Sequence, residues 1–296
     1  MSGGPVQVTA RVLSNKRIGA YHHLTVVGTG IAERTRPGHF AALAIGGVDS
    51  AQLLRRAFSI YRVRPTGVYG GTVEIIFAVH GGGTAWMSRL VPQDEVDVLG
   101  PLGRPFALPT EPVSCVLVGG GYGSAPLFAL AERLRERGCG VHMVIGAAGK
   151  DRLFGALEAK RAARSVVVTT DDGSVGIKGL VTAPLPELIE RTRSEVVYAC
   201  GPMAMLRAVS QVAAERGAHS QCAVEEAMAC GVGVCMTCVL PVVGDDGVTR
   251  MVRSCVEGPV FRGDRVRWDA VGSIPAGTLG GAPGGLLGTA AEGLDR

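Results

Sequence analysis

The fold class is decided by residues 113–138, VSCVLVGGGYGSAPLFALAERLRERG. An apolar run leads into a glycine-rich loop, and an amphipathic segment follows and ends at Gly138. An uninterrupted apolar run is typical of a strand that is buried on both faces of a parallel sheet. Periodic apolar residues closed by a glycine predict a helix. The stretch therefore predicts one strand–turn–helix unit of a doubly wound α/β sheet.

The same alternation continues downstream of this unit. VHMVIGAA, SVVVTT and VVYACGP predict further strands, while RLFGALEAKRAA (152–163), APLPELIERTR and MAMLRAVSQVAAERG predict helices. We therefore expect a parallel α/β domain that binds a nucleotide over residues 109–218.

The regions on either side follow other patterns. Residues 1–108 contain six short apolar runs between turn residues, with one helical segment near residues 84–90, and predict an antiparallel β-barrel. Residues 219–268 are rich in cysteine and too short for a core of their own. The Gly-, Ala- and Pro-rich residues 269–296 predict a disordered tail.

Composition narrows the class of protein. The 296 residues carry a net charge of only +4 and no dense Lys/Arg run, which does not favour nucleic-acid binding. No apolar run is long enough to predict a membrane span, and the first residues, MSGGPVQVTARVLSNKR, lack the apolar core of a signal peptide. We therefore expect a cytoplasmic protein whose eight cysteines stay reduced, which argues against a disulfide framework.

Four of the cysteines have the spacing of a metal centre. Cys230, Cys235 and Cys238 form a C-x4-C-x2-C run, and Cys255 follows after sixteen residues. Soft thiolates at this spacing are typical of a plant-type [2Fe–2S] cluster. A structural zinc site usually has a second pair of closely spaced ligands, which is missing here, and inert thiols are a third alternative.

Three other motifs are candidate binding sites. In the glycine loop, Gly119, Gly121, Gly123 and Pro126 fit a backbone that approaches a pyrophosphate at a helix start, although Ser124 replaces a glycine of the Rossmann fingerprint. The alternative interpretation is that the loop is a tight turn that binds no ligand. In RRAFSIY, Arg56 and Phe58 share one strand face and suit a phosphate and a flat ring, whereas a surface arginine is the plain alternative. In YACGP, Cys200 and Gly201 end a strand at the edge where such sheets bind ligands, but a small buried residue is equally compatible.

In this order the motifs resemble the ferredoxin–NADP reductase superfamily. The runs TDDGSVGIKG, LGPLGRPF, EEAMACGVGVCMTC and SCVEGPVF are similar to the electron-transfer subunits of class 1B dihydroorotate dehydrogenase. The resemblance extends from residue 6 to about residue 268. Phe58 and Ala78 depart from it, because a smaller aliphatic residue and an arginine are common there in the family.

The resemblance implies a set of cofactor-binding residues. FAD would be bound by Arg56, Ala57, Phe58, Ser59, Ile76, Phe77, Ala78, Gly83 and Thr84. NAD would be bound by Gly119, Gly121, Gly123, Pro126, Cys200, Gly201 and Pro202. The [2Fe–2S] cluster would be ligated by Cys230, Cys235, Cys238 and Cys255.

The resemblance also implies a function. Electrons would pass from the FMN of a catalytic dihydroorotate dehydrogenase subunit through the cluster and FAD to NAD⁺, in pyrimidine biosynthesis, within a complex of two chains of each kind. No catalytic triad or paired-carboxylate motif is visible, so we expect no catalytic side chain. A subunit of an NADH-dependent ferredoxin–NADP oxidoreductase or of a sulfide dehydrogenase is the nearest alternative. A zinc-binding interaction module is an alternative of another class, and it would contain no flavin.

Overall fold

The computed structural model describes residues 4–47, 50–275 and 277–279. Its N-terminal part is a closed antiparallel barrel in the strand order β1-β2-β5-β4-β3-β6. The strands are β1 (Val6–Ile18), β2 (Tyr21–Val27), β3 (Phe40–Leu43), β4 (Arg56–Arg64), β5 (Thr72–Phe77) and β6 (Glu95–Leu102), and a short helix, α1 (Gly82–Met87), lies between β5 and β6. Alternate residues such as Val12, Leu24 and Ile75 fill the interior and are fully buried. The predicted barrel is confirmed.

The second part is a doubly wound α/β unit, as predicted. Six parallel strands lie in the order β10-β9-β8-β7-β11-β12. They are β7 (Ser114–Gly120), β8 (Gly140–Ala147), β9 (Ser165–Thr170), β10 (Ile177–Lys178), β11 (Val196–Cys200) and β12 (His219–Ala223). The helices are α2 (Ala125–Glu136), α3 (Ala156–Ala162), α4 (Leu185–Thr192) and α5 (Met203–Glu215). One apolar cluster contains α2 and α3 on one face of the sheet, and a second contains α4 and α5 on the other face.

The cysteine-rich segment starts and ends in this sheet. After β12 the chain forms the cysteine loop and a hairpin of β13 (Val239–Val243) and β14 (Thr249–Arg253). It then returns as β15 (Val260–Arg262), which pairs antiparallel with β12. The segment 219–268 thus contributes two strands to the α/β sheet. Strands of three to five residues carry too little periodicity to be assigned from sequence.

Some predicted elements differ in extent. The helix expected over residues 152–163 begins only at Ala156, because Gly155 has a φ of +72°. A Cβ on Gly155 would lie 2.3 Å from the Phe128 ring, so the bend lets α2 pack closely. Most of the predicted disordered tail lies outside the described residues. Within the described part, the Leu279 amide donates to the Thr249 carbonyl at 2.9 Å.

The barrel packs directly on the α/β unit. Tyr61 of β4 is buried, and its ring meets Phe128 and Phe154 edge-on. Its hydroxyl donates to a Glu158 carboxylate oxygen at 2.7 Å, and Arg62 is paired with the same carboxylate. The barrel and the α/β unit therefore share one apolar core. Among the described residues, no helix is both long and apolar enough to cross a membrane.

One buried histidine makes stability depend on pH. His39 is 7% exposed, and its Nδ1 accepts the Arg36 amide at 3.0 Å. Burial and the Arg36 charge lower the pKa of His39 from 6.5 to about 4. Because the unfolded chain binds the proton first as pH falls, the stability is complete above pH 6.5 and is lost towards pH 4.

We expect urea unfolding to show the protein about 2 kcal/mol less stable at pH 5 than at pH 7 through His39 alone. His39→Asn, which keeps an acceptor, removes this difference. His219→Asn, at an exposed position, is the matched control and keeps it. Equal pH dependence in the wild type and His39→Asn would contradict the assignment.

Candidate functional site

Two cavities meet where the barrel faces the α/β sheet. The barrel cavity has a volume of about 360 Å³ and is lined by β4, β5 and residues 224–228. The sheet cavity has a volume of about 600 Å³ and is lined by the glycine loop, the carboxyl end of β8 and the start of α5. Both are lined by His80, Tyr122, Gly123 and Glu225. They are therefore two compartments of one cleft.

The barrel cavity gathers most of the residues predicted to bind FAD. It is lined by Ala57, Phe58, Ser59, Ile76, Phe77, Ala78 and Thr84, and also by Pro126 and Cys200. The Phe58 and Phe77 rings lie 6.0 Å apart, centroid to centroid, and give the cavity an apolar aromatic wall. Such a wall fits a flat, largely apolar ring system.

Arg56 and Gly83 lie next to this cavity rather than on its wall. A Cβ on Gly83 would lie 2.2 Å from Ile45 Cδ1 and 3.5 Å from Arg56 Nε, so the absent side chain lets α1 approach Arg56. Arg56 donates to the Leu54 carbonyl at 2.8 Å, and no carboxylate among the described residues pairs with it. A guanidinium without an acidic partner beside an apolar cavity fits the phosphates of a dinucleotide.

The sheet cavity is built from glycine loops in close contact. A Cβ on Gly123 would lie 2.8 Å from Gly201 Cα and 2.9 Å from the Cys200 carbonyl oxygen. Gly121 also lines this cavity and has a φ of +55°. Pro202 lines the same cavity, whereas Gly119 packs on Ser124 below the loop. A backbone without Cβ atoms at this edge fits a pyrophosphate.

Ser124 explains the departure from the Rossmann fingerprint. Its side chain is fully buried, and its hydroxyl lies 2.8 Å from the Gly121 carbonyl and 3.2 Å from the Phe154 carbonyl. The serine therefore fixes the loop from inside, and the ligand-facing backbone stays open.

Of the residues on the shared wall, Gly123 was predicted, whereas His80, Tyr122 and Glu225 were missed by the sequence analysis. Glu225 is open to both cavities, yet the surrounding protein raises the pKa of its carboxyl group, with an opposing effect from His80. Burial also raises the pKa of Tyr122. Only the position of Tyr122 inside the glycine loop could have indicated this wall, because His80 and Glu225 are distant in sequence. The wall therefore places Glu225 and Tyr122, two groups whose pKa values are raised by the surrounding protein, between the two compartments.

The predicted cluster ligands form two pairs with different surroundings. Cys230 and Cys235 form one pair on the outer loop, where Cys235 is exposed. Cys238 and Cys255 form the other, and each is 2% exposed. The buried pair packs on Phe40, Ala42 and Leu102 of the barrel. No group of three or more metal-binding side chains is found close together within the described ranges.

The loop supplies hydrogen-bond donors to sulfur. Cys230 Sγ accepts the amides of Val232, Val234 and Cys235 at 3.3–3.4 Å. Gly231 and Gly233, with φ of +72° and +83°, allow this curl. Two thiol pairs fit the two irons of a [2Fe–2S] cluster, and backbone donors fit its sulfurs.

The Thr237 hydroxyl, followed by backbone amides, lowers the pKa of Cys235 to about 6. Burial and the neighbouring Cys238 raise the pKa of Cys255 to about 12. Cys235 is therefore more readily deprotonated than Cys255.

The cysteine loop adjoins the barrel cavity. Phe40, Ala57 and Met228 line that cavity and also pack in the cluster of side chains around Cys238 and Cys255. The three predicted sites thus follow one another without a gap: sheet cavity, barrel cavity, cysteine pairs.

A larger cavity lies elsewhere. It has a volume of about 1100 Å³ and opens between the β1–β2 turn, α2 and α3. Of the predicted site residues, Ile76 alone reaches it, and its Arg62 and Glu158 side chains already neutralise each other. We therefore assign the site to the two smaller cavities.

Comparison with known proteins gives consistent matches. Residues 225–267 match the family model for the iron–sulfur cluster binding domain of dihydroorotate dehydrogenase B. The electron transfer subunit of dihydroorotate dehydrogenase B (NAD(+)) from Geobacillus thermodenitrificans is 38% identical over 248 residues, or 83% of this chain and 92% of the relative. The subunit of that name from Streptococcus pneumoniae R6 is 36% identical, over 86% of this chain and 96% of the relative.

Two solved structures extend the comparison. An NADH-dependent reduced ferredoxin–NADP oxidoreductase has a TM-score of 0.77 and 29% identity, covering 91% of this chain and 92% of that one. A ferredoxin NADP⁺ reductase from Neisseria gonorrhoeae has a TM-score of 0.58 and 18% identity, covering 71% and 92%, and shares the fold.

The contact at Gly123 leads to a test of the sheet cavity. We expect Gly123→Ala to weaken NAD⁺ binding at least tenfold, because its Cβ would meet two backbone atoms within 3 Å and separate the loops. Titration calorimetry measures the dissociation constant. Gly140→Ala is the control, since its Cβ would have no neighbour nearer than 3.5 Å. Unchanged affinity in Gly123→Ala would exclude this cavity as the NAD⁺ site.

Proposed function

The chain belongs to the family of electron transfer subunits of dihydroorotate dehydrogenase B, and from this premise we propose that it passes electrons from a catalytic partner to NAD⁺. The partner would be an FMN-containing dihydroorotate dehydrogenase subunit of pyrimidine biosynthesis. The observation that carries the proposal is the continuity of the sheet cavity, the barrel cavity and the cysteine pairs.

Each compartment would hold one cofactor. FAD would lie in the barrel cavity with Arg56 at its phosphates, NAD in the sheet cavity on the Gly119–Pro126 loop, and the cluster on the four cysteines. A bound flavin exchanges a hydride with a nicotinamide and single electrons with an iron–sulfur centre, which no side chain can do.

The protein's own residues orient and shield these groups. Phe58 and Phe77 keep water from one side of the barrel cavity, while Cys200 and Gly201 stand between that cavity and the glycine loop. The surrounding protein raises the pKa values of Glu225 and Tyr122 at the shared wall, which favours the neutral form of each group beside the cofactors. The role of these side chains is to position the cofactors and to shield them from water.

The surface around the cysteine loop is suited to the catalytic subunit. Val232, Val234 and Met236 are 44%, 79% and 51% exposed and surround the exposed Cys235. Apolar side chains around a redox centre favour a protein contact that shortens electron transfer and excludes water. We propose that this loop face binds the partner, in a cytoplasmic complex of two chains of each kind.

A second candidate function is a subunit of an NADH-dependent ferredoxin–NADP oxidoreductase or of a sulfide dehydrogenase. The likeness to the reduced ferredoxin–NADP oxidoreductase over 91% of the chain favours it. The four cysteines favour the dihydroorotate system, since one ligand in the alternative group can be an aspartate. The identity of the electron donor separates the two functions.

Reconstitution tests the function directly. We expect the purified chain to show flavin and iron–sulfur absorbance and to reduce NAD⁺ only when an FMN-bearing dihydroorotate dehydrogenase subunit and dihydroorotate are both added. NADH oxidation with ferricyanide is the control for an intact flavin site. If ferricyanide is reduced but dihydroorotate gives no NADH, the dihydroorotate assignment fails and the alternative is tested with reduced ferredoxin.

The loop face has its own test. We expect Val234→Glu to weaken the complex with the catalytic subunit at least tenfold, because a charge would be buried in an apolar contact. Val68→Glu, on the β4–β5 turn where Val68 is 97% exposed, is the matched control and leaves affinity unchanged. Surface plasmon resonance measures both variants, with ferricyanide reduction expected to stay at the wild-type rate. Equal affinities would move the partner to another surface.

A further inference from the structure

One buried hydroxyl beside the cysteine pairs has no bonding partner. Ser254 is 0% exposed, and its Oγ makes no hydrogen bond to any described residue. Buried polar atoms are normally bonded, so an unbonded one calls for a partner such as a bound group, an ion or a water molecule. In the α/β unit, Ser210 and Ser220 bond to each other at 3.2 Å, whereas the buried Thr169 hydroxyl lacks a partner but lies far along the chain from any cysteine pair.

Ser254 is bonded through its backbone to both cysteines of the buried pair. It precedes Cys255 in the chain, and its amide donates to the Cys238 carbonyl at 2.9 Å. Its buried hydroxyl is thus carried by the backbone that joins the two thiols, which themselves pack on the barrel. At the outer pair, backbone amides already donate to Cys230 Sγ. Ser254 offers a side-chain donor next to the inner pair.

We propose that the Ser254 hydroxyl donates a hydrogen bond to sulfur at the buried half of the [2Fe–2S] cluster and thereby raises its reduction potential. The acceptor is a bridging sulfide of the cluster, because Ser254 Oγ makes no hydrogen bond to the sulfur of Cys238 or Cys255. Reduction adds a negative charge to the cluster, and a donor stabilises that charge most in a site without water. The inference rests on the proposed function, because it requires the cluster to be bound.

The test is a redox titration of the purified holoprotein followed by electron paramagnetic resonance. We expect Ser254→Ala to lower the equilibrium constant for cluster reduction about tenfold, which corresponds to about 59 mV for one electron. Ser220→Ala removes a buried hydroxyl far along the sheet and is expected to leave the potential unchanged. An unchanged potential in Ser254→Ala, with iron and sulfide at wild-type content, overturns the inference.

A second pair of variants separates the hydroxyl from the shape of the side chain. Ser254→Thr keeps the donor and Ser254→Val has nearly the same shape without it, so the potential of the first is expected to lie above that of the second. Equal potentials overturn the inference.

Proton exchange supplies a direct readout of the bond. Prolonged transfer into D₂O is expected to remove one more proton coupling from the double-resonance spectrum of the reduced cluster in the wild type than in Ser254→Ala, because the amides on Cys230 Sγ exchange in both. Equal losses overturn the inference. A wild type that contains no cluster contradicts the proposed function, whereas a normal cluster insensitive to residue 254 contradicts the hydrogen bond alone.

Discussion

Strand β4 holds the two halves of the molecule together, and the cleft depends on it. Three of its residues, Ala57, Phe58 and Ser59, line the barrel cavity. Further along the same strand, Tyr61 forms a hydrogen bond and Arg62 an ion pair with Glu158 of the α/β unit. Because a strand is stiff and rises by about 3.3 Å per residue, these roles are fixed relative to one another. The barrel therefore cannot move away from the α/β unit without breaking the contacts of the buried Tyr61 and the partly buried ion pair of Arg62 with Glu158. The distance between the flavin and nicotinamide compartments is set by the fold.

The sequence was informative wherever a chemical requirement is local. The cysteines were predictable because thiolates need a set spacing to share a cluster. The glycine loop was predictable because a pyrophosphate needs glycines within one turn. The barrel was predictable because long strands show their periodicity. The short strands β12 and β15 were not, because their place in the sheet comes from pairing partners about forty residues apart. His80, Tyr122 and Glu225 were missed for the same reason, since only the folded chain brings them to one wall. The assignments of individual site residues stay predictions.

The two thiol pairs differ in ways that suit electron transfer between another protein and the barrel cavity. Cys235 of the outer pair is exposed among apolar side chains that can meet another protein. The inner pair is enclosed by Phe40 and Leu102 and adjoins the barrel cavity through Ala57 and Met228. A centre held by both pairs has one half towards the partner surface and one half towards the flavin compartment.

The pairing of β12 with β15 also separates iron loading from folding. Residues 224–259 form a loop whose two ends are joined by sheet hydrogen bonds and by the Val224 amide on the Pro259 carbonyl, at 2.9 Å. Closing this loop costs roughly 3 kcal/mol of chain entropy, and the strand pairing offsets that cost. In small metal-dependent domains the bound metal offsets it instead. A chain made when iron is scarce would keep its barrel, its glycine loop and its dinucleotide cleft. Iron supply would then determine only whether electrons can pass between the catalytic partner and the FAD and NAD compartments.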